Sequence, residues 1–150
     1  MRLSSKGRYA VMAMADLARH SADASVRAVA LADIAARQDL SLAYLEQLFT
    51  RLRRQGLVVS HRGPGGGYRL ARPAEQMAVV DIVLAVDEPL EAVRCNSAIK
   101  TGKQTGCMPG GERCLTHDLW QALGDQIHGF LAGVSLDDVI QGRLRPSKAA

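Results

Sequence analysis

A tight turn between two short helices, followed by a basic hairpin, is the feature that most constrains the fold of this chain. Apolar periodicity predicts helices in residues 29–37 and in SLAYLEQLFTRLRRQG, with the tripeptide QDL between them. Ser41 is a typical N-cap for the second helix. Two β-prone runs, 57–62 and 68–72, then flank the loop GPGGG. This order of elements predicts a winged helix-turn-helix.

The second helix of the pair is predicted to bury one face and expose another. Its buried stripe is expected to contain Leu42, Leu45, Leu48, Phe49 and Leu52. Asp39 lies in the turn where glycine would be easiest, and we expect it to adopt a left-handed conformation, which Asp tolerates better than most residues.

Further helices are predicted on both sides of this unit. Residues 5–19 carry an amphipathic helix, and residues 77–89 a helix that is apolar almost all round and stopped by Pro89. Residues 117–134 form a long amphipathic helix, and Ser135 caps a final short one. The predicted fold class is therefore mainly α with a small β wing, a winged helix-turn-helix domain plus a long C-terminal helix.

Positive charge is concentrated where the wing and the second helix are predicted. Lys and Arg outnumber Asp and Glu by 19 to 15, a modest net charge of +4. Six of the arginines fall within a short stretch: Arg51, Arg53, Arg54, Arg62, Arg69 and Arg72. Such clustering favours a polyanionic partner, and with a helix-turn-helix it indicates double-stranded DNA.

Small and polar residues on the second helix suit a major groove, because they allow close approach and hydrogen bonding to bases. Glu46 is an acidic exception, and its carboxylate can accept a hydrogen bond from cytosine N4 or adenine N6. Arg62 at the base of the wing can enter a narrow minor groove. The candidate DNA-binding residues are Arg2, Ser4, Lys6, Tyr9, Ser41, Ala43, Tyr44, Glu46, Gln47, Thr50, Arg51, Arg54, Arg62, Gly63, Pro64 and Gly65.

The chain shows no signal for a membrane. No apolar run reaches the ~18 residues of a membrane span, and the N-terminus lacks the long apolar core of a signal peptide. We expect a cytoplasmic protein without a membrane partner, in which thiols stay reduced.

All three cysteines lie in one Gly-rich, polar segment, in the pattern C-x11-C-x6-C-x2-H. Three thiols and an imidazole, Cys95, Cys107, Cys114 and His117, are ligands of the kind that hold zinc or an iron–sulfur cluster. Free cysteines in a disordered loop and a redox-sensing thiol pair are alternatives. The C-x2-4-C pairs of typical zinc sites are missing.

Five stretches together resemble the IscR-type iron–sulfur cluster regulators: MRLSSKGRYAVMAM, SLAYLEQLFTRLRRQGLV, RGPGGGY, AVDE and CLTH. The resemblance covers roughly residues 1–140. It implies a dimeric winged-helix transcription factor that controls genes for cluster assembly, and it assigns the four ligands above to a cluster. The family typically binds 2Fe–2S, which is therefore favoured here. Its members commonly have shorter, more even gaps between the three cysteines than this chain, and relatives with three cysteines can hold 4Fe–4S, which is the alternative.

The resemblance also implies a symmetric assembly. We expect a homodimer on a two-fold symmetric operator, formed through Leu119, Leu123, Ile127, Phe130 and Leu131 of the long helix, and supplied with its cluster by a cluster-assembly scaffold. The expected organisation is a DNA-binding domain at 1–89, a cluster-binding loop at 90–117, a dimerisation helix and short terminal helix at 118–142, and a flexible tail at 143–150.

Other functions compete with this one. A zinc-stabilised DNA-binding regulator and a nitric oxide or iron sensor of the same fold are alternatives. An enzyme using a cluster for electron transfer is a competing class, but no substrate-pocket motif, nucleophile–base pair or cofactor loop occurs in the sequence. We expect a regulator rather than an enzyme.

Overall fold

The protein combines helices with one small antiparallel hairpin. Its structure is a computed structural model that describes residues 5–21, 28–87, 90, 108 and 111–144. The helices are α1 (Ser5–Ser21), α2 (Leu31–Gln38), α3 (Leu42–Arg54), α4 (Val79–Ala85), α5 (His117–Ala132) and α6 (Leu136–Gln141). The strands are β1 (Val58–His61) and β2 (Gly67–Leu70), and a 3-10 turn, Ala74–Gln76, precedes α4. The predicted class, mainly α with a small β wing, is confirmed.

Helix α1 is the centre of the core. Ala10, Ala13, Met14 and Leu17 follow the i, i+3, i+4, i+7 spacing, and none of them has exposed surface. The helix contacts α2, α3, α4, α6 and β2. Complete burial of a side chain such as Leu17 stabilises the fold by about 1.5–3 kcal/mol, so this stripe holds the elements that position the wing and α3.

The turn between α2 and α3 has the predicted local chemistry. Asp39 is left-handed at φ 52°, and the amide of Leu40 donates to the carbonyl of Ala35 at 3.0 Å, closing α2. The hydroxyl of Ser41 accepts a hydrogen bond from the amide of Tyr44 at 3.4 Å, which caps α3. Both the Asp39 and the Ser41 predictions are confirmed.

The apolar stripe of α3 begins one turn later than the sequence predicts. Leu45, Leu48, Phe49 and Leu52 are at most 2% exposed. Leu42 is 42% exposed, so its assignment to the buried stripe was wrong. The physical reason is its place at the first position of α3, where the helix has not yet reached the core.

The hairpin pairs Val58 with Leu70 and His61 with Gly67. Val29 was predicted to start a helix, but it exchanges two backbone hydrogen bonds with Tyr68, at 2.9 and 2.8 Å. Val29 thus pairs with β2 as a single extended residue beside the hairpin, and α2 starts only at Leu31.

The contact with Val29 explains why residue 67 is glycine. Gly67 has φ 151°, and a Cβ atom there would lie 2.2 Å from the carbonyl oxygen of Val29. A larger residue would therefore push the wing away from α2.

Helices α4 and α6 close the same core from the C-terminal side. The amide of Leu136 donates to the carbonyl of Met77 at 2.8 Å, and both side chains are fully buried. Ser135 caps α6, as predicted, and it does so in a reciprocal capping box with Asp138. The terminal helix, grouped by sequence with the dimerisation helix, thus packs with α1 and the 3-10 turn.

Helix α4 is shorter and more exposed than predicted. It ends at Ala85 rather than near Pro89, which lies outside the described residues, and Leu84 is 47% exposed. Asp87, two residues after the end of α4, is left-handed at φ 56°.

Helix α5 leaves most of its apolar face uncovered. It contacts α4, but His117 is its only buried residue. Leu119, Trp120 and Phe130 are 61%, 37% and 45% exposed. The lone chain therefore presents an apolar helix to its surroundings.

Candidate nucleic-acid interface and cluster ligands

One face of α3 presents small and polar side chains to the surroundings. We call Ala43, Glu46, Gln47, Thr50 and Arg54 the reading face. Its members are exposed except Thr50, which is half-buried and donates its hydroxyl to the backbone carbonyl of Glu46 at 2.8 Å. The opposite face of α3 is anchored in the core, so the reading face is displayed on a rigid element, as docking into a major groove requires.

Arg51 is half-buried and held by the residues that follow α4, whereas Arg54, the other candidate arginine of α3, is exposed. Its guanidinium forms an ion pair with Asp87 and donates to the carbonyl of Val86 at 3.2 Å. In this conformation Arg51 joins α3 to the end of α4. A phosphate contact from Arg51 would require this arrangement to open.

The two candidate tyrosines pack against each other. The rings of Tyr9 and Tyr44 lie 6.0 Å apart at 88°, an edge-to-face geometry, and both are half-buried against the core. Together with the Ser41 cap they fix the first turn of α3 on α1. Lys6 is half-buried near the start of α1, whereas Arg2 and Ser4 lie outside the described residues.

The wing tip is an exposed, glycine-rich turn. Arg62, Gly63, Pro64 and Gly65 are all exposed, and the amide of Gly66 donates to the carbonyl of Gly63 at 2.9 Å. A tip without bulky side chains allows backbone to approach a duplex, with Arg62 as its only cation. The basic hairpin predicted beside the helix pair is therefore present.

Two of the four predicted cluster ligands lie on one turn at the start of α5. The amide of His117 donates to the carbonyl of Cys114 at 3.0 Å. Cys114 is half-buried, and His117 is 5% exposed. Cys95 and Cys107 lie outside the described residues, and within the described ranges no three His, Cys, Asp or Glu side chains come together as a metal site.

The donor chemistry fits a thiophilic metal centre. Cysteine thiolate and imidazole are both ligands that iron–sulfur clusters accept in proteins. The short hydrogen-bonded turn at Cys114 gives them a rigid base at a helix start, so binding there would couple directly to α5.

Sequence reasoning missed three residues that the structure connects to candidate site residues. Asp87 pairs with Arg51, Thr116 contacts Cys114, and Trp120 donates a hydrogen bond to Thr116. The signal available for the latter pair was the spacing within CLTHDLW, since residues four apart meet on a helix face.

A helix-turn-helix with a basic wing and an exposed reading face defines the chain as a winged-helix DNA-binding protein. The family of iron-dependent transcriptional regulators called Rrf2 matches residues 3–142, and the chain belongs to this family. Like its relatives, which are transcriptional regulators, the chain is a regulator and not an enzyme. No helix among the described residues is long and apolar enough to cross a bilayer.

Several proteins show the same relationship. The HTH-type transcriptional regulators IscR of Photorhabdus laumondii and Yersinia enterocolitica are each 52% identical over 143 residues, covering 95% of this chain and 81% of theirs. The solved structure of T. potens IscR is 33% identical, with a TM-score of 0.73, and the match covers 100% of this chain and 93% of that one. The resemblance to IscR-type regulators is thereby confirmed.

A regulator of a different response has the same fold. The structure of CymR, the global cysteine regulator of B. subtilis, is 29% identical with a TM-score of 0.74, covering 95% of this chain and 98% of that one. The fold therefore serves more than one signal, and the signal must be argued from this chain's own residues.

Proposed function

We propose that this transcriptional regulator senses an iron–sulfur cluster held by Cys95, Cys107, Cys114 and His117. The observation that carries the proposal is the turn at the start of α5, where the thiol of Cys114 and the buried imidazole of His117 are three residues apart. The two remaining thiols are in the preceding segment of the sequence. The favoured cluster is 2Fe–2S, with 4Fe–4S as the alternative.

The chain's own residues would give such a site its properties. A bound cluster supplies a redox centre whose potential depends on charge, on hydrogen bonds to sulfur and on exposure. Cys114 and His117 would tie it to α5, whereas Cys95 follows Asp87 and α4 in the sequence. With Cys95 on the side of α4 and Cys114 and His117 on the side of α5, binding of the cluster would be coupled to both helices.

The direct test is anaerobic purification followed by visible spectroscopy and measurement of iron and sulfide. We expect absorbance from the cluster in the wild type and its loss in Cys95→Ala, Cys107→Ala and Cys114→Ala. His117→Cys should retain a cluster with a lower potential, because thiolate donates more negative charge than imidazole.

His128→Ala is the matched control, since His128 is an exposed histidine on the same helix. It should leave the spectrum unchanged. A colourless protein containing zinc would replace the proposal with a zinc-stabilised regulator, and a stable cluster in Cys107→Ala would overturn the ligand assignment.

The proposed DNA interface combines the reading face with the wing and the start of α1. It includes Arg2, Ser4, Lys6, Tyr9, Ser41, Ala43, Tyr44, Glu46, Gln47, Thr50, Arg54, Arg62, Gly63, Pro64 and Gly65, with Arg51 added if its ion pair opens. Two such units in a homodimer, joined through α5, would read a two-fold symmetric operator.

The biological setting follows from this chemistry. A regulator that responds to cluster occupancy suits genes for cluster assembly, and a cluster-assembly scaffold is the expected donor. Thiol ligands also suit action in the cytoplasm, where cysteines stay reduced.

A further inference from the structure

The hydroxyl of Thr116 lies between the thiol of Cys114 and the indole of Trp120. Its oxygen is 3.7 Å from Cys114 Sγ, within hydrogen-bond range for sulfur, and it accepts a hydrogen bond from Trp120 Nε1 at 3.2 Å. Trp120 is the single tryptophan of the chain. Three side chains are thus connected in a row at the start of α5.

Thr116 stands at the N-cap of α5, but it does not cap the helix. A threonine at this position usually accepts a hydrogen bond from a backbone amide of the first turn. Here the hydroxyl makes no such bond. Its side chain is directed to the thiol and the indole instead, so an ordinary capping role does not account for it.

The direction of the hydrogen bonds follows from the chemistry of the groups. An indole N–H can only donate, and a hydroxyl has a single proton. A metal-bound Cys114 is a thiolate without a proton, so it can only accept. Trp120 must then donate to Thr116, and Thr116 must donate to the sulfur.

We propose that Thr116, oriented by Trp120, is a positioning residue that donates a hydrogen bond to the ligand sulfur of Cys114 and raises the reduction potential of the bound cluster. This inference rests on the proposed function. A donor aimed at sulfur favours the reduced, more negative cluster, because it stabilises the added charge. Polarisation by the indole strengthens the donor.

The test compares three variants. Thr116→Val keeps the shape of the side chain and removes the hydroxyl, Thr116→Ser keeps the hydroxyl, and Trp120→Phe keeps a ring and removes the indole N–H. At a fixed potential near the midpoint, Thr116→Val should lower the ratio of reduced to oxidised cluster by up to about tenfold, which is about 59 mV for one electron. Trp120→Phe should give a smaller shift in the same direction, and Thr116→Ser should match the wild type.

A second readout needs no cluster. The single indole N–H gives one resonance in a nitrogen–proton NMR spectrum of the metal-free protein. This resonance should move in Thr116→Val and stay near its wild-type position in Thr116→Ser. An unchanged resonance in Thr116→Val would show that the contact is absent in solution and would overturn the inference.

The outcomes separate this inference from the proposed function. Wild-type protein without iron and sulfide would defeat both. Wild-type protein with a cluster, but with equal potentials in all variants, would defeat only the role of Thr116. If Thr116→Val does not retain a cluster, the reduction potential is compared between wild type and Trp120→Phe instead, since Trp120→Phe preserves the hydroxyl of Thr116.

Discussion

Arg51 on α3 and Asp87, just beyond the end of α4, form an ion pair, and Arg51 also donates to the carbonyl of Val86 at 3.2 Å. The residues are 36 positions apart in sequence. Asp87 adopts a left-handed conformation, and the segment containing Cys95 follows it. The helix that carries the reading face is therefore linked to a residue three positions before the predicted cluster-binding loop, which begins at residue 90.

This arrangement predicts that Arg51 and Arg54 differ in their effect on DNA binding. Arg54→Gln should flatten the dependence of log affinity on log salt by about one unit, as expected for loss of one phosphate contact. Arg51→Gln should change that slope less, because its guanidinium is already engaged with Asp87. Titrations at several salt concentrations measure both. Equal slopes for the two variants would show that the Arg51 ion pair opens on DNA.

A buried ion pair holds α1 to the end of α2. Asp16 is 5% exposed and accepts hydrogen bonds from Arg37 Nη2 and Gln38 Nε2, each at 2.6 Å. Burial alone would raise the pKa of Asp16, but hydrogen bonds from Arg37 and Gln38 and the charge of Arg37 outweigh it, so the pKa lies below its usual value.

Asp16→Asn should lower the free energy of unfolding by about 1–3 kcal/mol near neutral pH, because an amide N–H₂ would face the donors of Arg37 or Gln38. The lowered pKa means that the carboxylate's contribution is complete above the unfolded-state pKa of about 4 and is lost as pH falls through the lower folded-state value. The difference between variant and wild type should thus shrink below about pH 4. Denaturant unfolding at several pH values checks this, with Arg19→Ala on the same helix as the control. A constant difference across that range would contradict the charge-based argument.

The sequence predicted the helices well, because apolar periodicity and helix caps involve residues only a few positions apart. The periodicity of Ala10, Ala13, Met14 and Leu17, and the Ser41 cap, depend only on neighbours along the chain. Contacts between distant segments gave no such signal.

The pairing of Val29 with Tyr68 illustrates the limit. Apolar periodicity predicted a helix from Val29, but two backbone hydrogen bonds to Tyr68 of the wing keep Val29 extended. The link between Arg51 and Asp87 likewise depends on how α3 meets α4, which sequence periodicity does not specify. For the candidate site, the ligand types could be listed from sequence, whereas the contact of Thr116 with Cys114 required the turn to be seen.

The wing should contribute electrostatically to binding. Arg62 is exposed at the base of a tip that has no other cation. Arg62→Ala should weaken DNA binding and flatten the dependence of log affinity on log salt by about one unit. The variant loses one phosphate contact, and with it the release of the counterions at that phosphate. Arg143→Ala is a suitable control, since Arg143 lies after α6 and is already paired with Asp137 of that helix. An unchanged slope in Arg62→Ala would remove the wing base from the interface.

The exposed apolar face of α5 should be covered by a second copy of the chain. Phe130→Asp puts a charge on this face and should convert a dimer into a monomer, because burying an unpaired carboxylate is costly. His128→Asp adds the same charge on the opposite face of the helix and should leave the dimer intact. Sedimentation at micromolar concentration distinguishes the two. A monomeric wild type, with and without DNA, would rule out the dimer.

Glu46 is an acidic residue on the reading face, and phosphates repel such a group. Its side chain is exposed, and within the described part of the chain neither Arg53 nor Arg54 pairs with its carboxylate; Thr50 bonds its backbone carbonyl. A carboxylate placed against a base that offers only acceptors stays desolvated and unpaired, at a cost of about 1–3 kcal/mol. Glu46 should therefore act mainly by excluding operators that lack a cytosine or adenine donor at its position.

The exclusion becomes a switch if cluster occupancy lets Glu46 reach its partner base. Glu46→Ala should then allow cluster-free protein to bind sites that otherwise require the cluster, with an affinity gain of about 5- to 150-fold, equivalent to that cost. Binding titrations of apo and holo protein on an operator selected with holo protein measure this. Gln47→Ala, a neighbouring exposed residue, is the control and should leave the difference between apo and holo protein intact. Equal discrimination between the two states in wild type and Glu46→Ala would remove Glu46 from the mechanism.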